Sequence, residues 1–176
     1  MGRRQRIRRG GLTEAVLLCG ALASLPAQAD TDVEFSGTLV ADPCVVDTDS
    51  QEQEIDFGNI ASKTFINHES TAPKDFRIRL LECDLTLGTQ VSVTFLGDES
   101  LTQPGAFAVT GDAKGIAVRI EDAEGRTVAP NRAHGAGDLL QGETVLAYRA
   151  RVTAKNVSEV TEGEFMAVAT FALDWE

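Results

Sequence analysis

Positive charge and histidine are scarce in this sequence: its 176 residues hold 16 Lys and Arg against 27 Asp and Glu, with only two His. Five of the basic residues, Arg3, Arg4, Arg6, Arg8 and Arg9, crowd into the first ten positions. Residues 1–29 therefore carry five Arg and one Glu, and residues 30–176 a net charge of −15 where the whole chain has −11. A nucleic-acid partner needs a basic face to neutralise its phosphates, and this balance excludes one. Acidity of this size reads as solubility.

Catalytic and metal-binding groups are equally thin. His68 and His134 are expected in loops, near neither a His-x-Glu nor a nucleophile-elbow motif. Two cysteines and two distant histidines do not make a zinc set. Gly135-Ala136-Gly137 lacks the strand and helix that a phosphate cradle requires. Glu52, Glu54, Asp56, Asp98 and Glu99 read as a solvated face, and they lack the loop of an EF-hand calcium site. The expectation is a chain that is not an enzyme, with no cofactor and no metal.

Long apolar runs are missing too. The longest, Ala15 to Leu25, falls short of the ~20 residues that span a bilayer. It follows the basic stretch and precedes Ala27-Gln28-Ala29, the small-x-small pattern of a cleavage site. Residues 1–29 thus read as a secretory signal peptide removed before Asp30, with no stable membrane insertion afterwards. Leu18 directly before Cys19 argues against lipoprotein processing, and Arg6 stands where a twin-arginine signal has an apolar residue. Cys19 leaves with the signal. Cys44 and Cys83 remain as an even pair in an exported chain, for which a disulfide is the default. It would close a loop of about 40 residues and stabilise by roughly 4 kcal/mol.

Helical periodicity is absent apart from room for one turn within Ile60–Glu69; what is present is alternation. Val33 to Val46 sets Val33, Phe35, Leu39 and Ala41 on one side. Ile55 and Phe57 flank Asp56 before Gly58. Phe76 to Leu80, Val91 to Phe95, Ile116 to Ile120 and, less evenly, Val145 to Val152 keep a period of two, and Glu124-Gly125-Arg126 turns a hairpin back to Val128. Short alternating runs between Gly, Pro, Asp and Asn predict an all-β sandwich. The Gly- and Ala-rich stretch from Pro130 to Gly142 is expected to be a mobile loop.

The last segment, Glu164 to Glu176, places Phe165, Ala167, Ala169, Phe171, Leu173 and Trp175 in one row, with an apolar middle to the other row. That composition predicts a strand inside the sandwich. No strand follows to cover its edge, a problem that has to be solved elsewhere.

Gly163 at the fourteenth position from the end, this alternating strand and the aromatic Trp175 at the penultimate position together resemble the β-zipper motif of chaperone–usher (type 1-like) fimbrial subunits. Ala169-Thr170-Phe171-Ala172-Leu173 is similar to the family's ATFxL run, with Trp175 where Tyr is usual. Leu146 to Ala150 and the Phe76-x-Ile78-x-Leu80-x-x-Cys83 pattern resemble two further strands, so the similarity spans nearly all of residues 30–176.

The resemblance implies an incomplete immunoglobulin-like β-sandwich completed by donor-strand exchange. It implies a donor strand over residues 30–38, anchored by Thr31, Val33, Phe35, Gly37 and Leu39, and a pilin domain over residues 39–176. It implies a C-terminal strand (Gly163, Phe165, Ala167, Ala169, Phe171, Leu173, Trp175) that pairs with a periplasmic chaperone. The remaining partners would be an outer-membrane usher and neighbouring pilin subunits, on a route through the periplasm to the cell-surface fimbrium. Only five residues, Asp30 to Glu34, precede Phe35, which points to a minor adaptor in cell adhesion. The alternatives are a terminator, a major pilin, or an adhesin binding sugar or protein, though 147 residues leave room for one domain only.

Overall fold

The computed structural model describes residues 33–176; the signal segment, Cys19 and Thr31 lie outside the described residues. The chain divides into two units, Met1–Thr38 and Leu39–Glu176. Of the first, Val33–Thr38 is described: it forms no helix or ladder, and Phe35 is 92% exposed.

In the second unit the elements run β1 (Val45–Val46), α1 (Thr48–Gln51), α2 (Thr64–Asn67), β2 (Lys74–Cys83), β3 (Gln90–Leu96), β4 (Phe107–Ala108) and β5 (Thr110–Gly111). They continue with β6 (Ala117–Asp122), β7 (Thr127–Val128), β8 (Ala133–Asp138), β9 (Gly142–Thr153), a 3₁₀ turn (Val157–Glu159), β10 (Phe165–Met166) and β11 (Thr170–Trp175). One sheet has the order β1-β2-β9-β6-β4, with β7 also on β6; the other has the order β11-β3-β8, and β10 pairs with β5 separately. All pairings are antiparallel.

The period-two runs become the central strands because each sends one row inward. Ile78 and Leu80 of β2, Val91, Val93 and Phe95 of β3, and Leu146, Tyr148, Ala150 and Val152 of β9 form the core between the sheets. Phe95 meets Tyr148 edge-on at 5.0 Å between ring centroids, tying the two layers, and Phe76 stacks on Tyr148 at 5.6 Å within its own sheet. The expected hairpin is present, with Ile120 opposite Val128 and Gly125 at φ +83°. Cys44 and Cys83 are bonded and buried beside β1 and β2.

Four expectations change. Of Val33 to Val46, only Val45–Val46 pairs, opposite Leu81 and Leu80. Because β2 ends at Cys83, Leu39 to Asp42 run past the end of that strand, have no edge to join and are exposed. Ile55 and Phe57 lie on no strand. The stretch from Pro130 to Gly142 contains β8, paired with β3 through main-chain groups that need no bulky side chain. The last segment is two short strands interrupted at Ala167–Ala169, and β11 lies at the edge of its sheet with its outer row exposed. The helical turn expected within Ile60–Glu69 is α2.

A charged clasp joins the layers at one end. Asp122, at the end of β6, accepts the backbone N–H of Arg126 (2.8 Å) and its guanidinium Nε (2.6 Å), and faces His134 Nε2 of β8 at 3.0 Å. Burial disfavours the charged carboxylate, but these partners outweigh it and hold the Asp122 carboxyl below its ordinary range. A depressed carboxylate stabilises above its unfolded pKa of about 4, and that contribution is lost as pH falls through the lower folded value. Asp122→Asn is therefore expected to lower stability at pH 7 by roughly 1–2 kcal/mol and to flatten the stability profile below about pH 4. Urea unfolding at several pH values reads both, and an unchanged acid limb contradicts the clasp.

Candidate functional site: an open groove

The sandwich is open along one side. Residues 52–60 leave β1 and α1 without joining a sheet, although the edge of β2 is close by. Side chains cover that edge in place of a strand: Ser50 Oγ accepts from Arg79 N at 3.0 Å, and Gln53 Nε2 donates to Arg77 O at 3.0 Å. Ile55, Phe57 and Ile60 turn half-buried faces to the core, and Asp56 Oδ1 accepts from Gly58 N at 2.7 Å to fix the bend between them.

The opposite wall is Gly163–Phe171. Gly163 has φ +151°, and a Cβ there would lie 2.7 Å from Ala113 N. The wall begins on the Glu164 carbonyl, which accepts from Asp112 N (2.9 Å) and Ala113 N (3.1 Å). Phe165 pairs opposite Gly111, after which Ala167–Ala169 belong to no ladder. The walls approach through Phe57 and Phe165, whose ring centroids are 6.3 Å apart.

Between the walls lies a cleft of about 780 Å³ floored by Phe76, Ile78, Phe95, Phe107, Val118, Ile120 and Ala150. An apolar floor beside main chain without ladder partners, at residues 52–60 and Ala167–Ala169, suits an extended peptide: main-chain bonds supply affinity and alternate side chains enter the floor. Among the described residues, no group of three or more His, Cys, Asp or Glu is placed to hold a metal.

The residues of the C-terminal row differ in their surroundings. Phe165, Ala167, Phe171, Leu173 and Trp175 pack on the core, while Ala169 lines the groove and stays exposed. Beyond the groove β11 is well held, with six register pairs from Thr170–Leu96 to Trp175–Val91. A main-chain oxygen of Glu176 accepts from Thr89 N (2.8 Å) and Gln90 N (3.0 Å). Val33, Phe35 and Leu39 are exposed, at 69%, 92% and 100%, and a Cβ on Gly37 would touch nothing. Sequence reasoning misses the wall at residues 52–60 as a site; its one signal is alternation at Ile55 and Phe57 without a strand's length.

The sequence profile of the family described as fimbrial protein matches residues 33–176. Long polar fimbria protein A of Salmonella typhimurium is 34% identical, over 94% of this chain and 98% of its own. Among solved structures, the P pilus rod subunit PapA superposes with a TM-score of 0.66 at 29% identity, covering 76% of this chain and 99% of PapA. A subunit in the structure of a chaperone–usher pilus gives a TM-score of 0.68 at 32% identity, covering 88% of this chain and all of that one (100%).

Proposed function

The chain belongs to the fimbrial protein family, as a structural subunit of a chaperone–usher pilus and not an enzyme, and from that premise we propose that it polymerises by donor-strand exchange. The observation that carries this is the groove, an apolar floor between two walls in which residues 52–60 and Ala167–Ala169 join no ladder. The missing strand comes from a neighbouring subunit's residues 30–38, with Thr31, Val33, Phe35 and Gly37, followed by Leu39, as alternate anchors. Gly37 is the position where a strand without a side chain lies closely over a bulky floor residue.

In this reading residues 1–29 direct export and are removed. Before assembly a periplasmic chaperone covers the groove, pairing with Phe165 to Trp175, because an exposed apolar cleft of this size invites aggregation. At the outer-membrane usher an incoming donor strand replaces the chaperone, and the subunit reaches the cell surface in the fimbrium. Similarity to a rod subunit over most of the chain favours a place in the pilus shaft. The brevity of Asp30 to Glu34 favours a second rank, a minor adaptor near the tip. Immunogold labelling along purified pili separates the two.

Removing Asp30–Gly37 tests the donor role. The truncated subunit is expected to keep its chaperone complex and to accept a neighbour's strand, while losing insertion into the next subunit completely. Pilus length and the subunit–subunit ladder on non-boiled gels read the result. Unaltered ladders, or loss of the chaperone complex, count against the assignment.

A further inference from the structure

The groove and the segment proposed to fill it carry charge of the same sign. Glu54, Asp56 and Glu164 line the groove, and no Lys, Arg or His does; Arg77 and Arg149, with Asp75, line the adjoining hollow on the far side of Glu54. Both walls belong to stretches without any cation, residues 30–62 and 156–176. Lys114 is engaged elsewhere, donating to Gly111 O at 2.6 Å. The donor segment adds Asp30, Asp32 and Glu34. These alternate with Thr31, Val33 and Phe35, so in an extended strand whose anchors point to the floor, the carboxylates point outward. Outward is the mouth of the groove, where Glu54, Asp56 and Glu164 are exposed.

We propose that exchange between two copies of this chain is electrostatically braked: the groove takes its own acidic donor strand more slowly than a neutral strand of the same apolar pattern, and added salt lifts the brake. This rests on the donor-strand reading. Charges at the rim of an interface act mainly on the association rate, and exposed like charges are screened beyond about 8 Å at physiological salt and about 30 Å at ~10 mM. Shape and charge thus act separately here. The apolar row decides whether a strand fits, and the outward row decides how fast it arrives.

The test uses the full subunit, after signal removal, in complex with the chaperone that holds it. Two synthetic peptides spanning residues 30–41 compete for the groove, one native and one with Asp30→Asn, Asp32→Asn and Glu34→Gln, and release of the chaperone is timed. At ~10 mM salt the neutral peptide is expected to exchange roughly three- to tenfold faster, and at ~0.5 M the two rates converge to within about twofold. A subunit with Glu54→Gln and Glu164→Gln, both at exposed positions, is expected to take the native peptide faster at low salt. Equal rates at low salt, or a difference indifferent to salt, overturns the brake while leaving donor-strand exchange standing. Failure of both peptides to release the chaperone at either salt overturns the donor-strand reading and the brake with it.

Discussion

Gly163→Ala is expected to destabilise the subunit by about 3 kcal/mol or more, and Gly163→Val to prevent it from accumulating in folded form. The first carbon of any side chain is enough, since a Cβ at this position would sit 2.7 Å from Ala113 N and 2.8 Å from Asp112 C. Those are main-chain atoms and cannot swing aside. Moving the strand away breaks the two bonds that Glu164 O accepts from Asp112 and Ala113, which start the groove wall. Gly125→Ala is the control: its φ is similarly unfavourable at +83°, but the nearest atom is the mobile Arg149 Nη2 at 3.4 Å. It should cost about 1–2 kcal/mol, from backbone strain alone. Urea unfolding followed through Trp175, the single tryptophan, compares them. If Gly163→Ala unfolds at the same midpoint as Gly125→Ala, close approach is not what the glycine provides.

The second large effect is expected at the disulfide. β1 contributes only two paired residues, and while Asp47, Ser50 and Gln53 bond to Arg79 and Arg77 further along, the Cys44–Cys83 bond and the Asp84 N to Pro43 O contact (2.8 Å) hold the chain at the Cys83 end of β2. The bond spans a sequence separation of 39, for which the chain-entropy account gives about 4 kcal/mol. Cys44→Ser with Cys83→Ser, or reduction of the wild type, should lower unfolding stability by about that amount, a large part of the 5–15 kcal/mol typical of a domain. Since both cysteines are buried, reduction under native conditions should be slow and should speed up with denaturant. A midpoint that moves by less than about 1 kcal/mol on reduction would mean that the closed loop stays ordered without its bond.

The sandwich is legible in the sequence wherever a strand turns one face inward. β2, β3, β6 and β9 all announce themselves through alternation, because burial selects every second residue. β8 does not, since Ala133–Asp138 pairs through its main chain and carries no β-branched or bulky row. The sequence overstates β1 for the opposite reason: residues 39–46 alternate, but alternation does not create a neighbouring edge, and β2 stops at Cys83. The candidate site is half legible. Gly163 and the odd-numbered row mark one wall. The other, at residues 52–60, is written in side-chain bonds from Ser50 and Gln53 to an edge that only the fold reveals. The interruption at Ala167–Ala169 is hidden because three small or apolar residues read as strand whether or not a partner exists.

The position of the disulfide also has a mechanical meaning. If donor strands join the subunits, tension on the fibre enters each body at its N-terminal side, through Leu39–Pro43, which belong to no strand of their own. At Cys44 the load crosses directly to Cys83 at the end of β2, whose neighbour β9 lies in the interior of the larger sheet. The bond gives the pull from Leu39 a covalent path to β2 that does not run along the intervening stretch with its two small helices. A reduced subunit would lose this bypass, and the chain from Cys44 to the start of β2 would straighten to about 100 Å. In the oxidised fibre the bond carries that pull into β2 without unravelling the chain between the two cysteines.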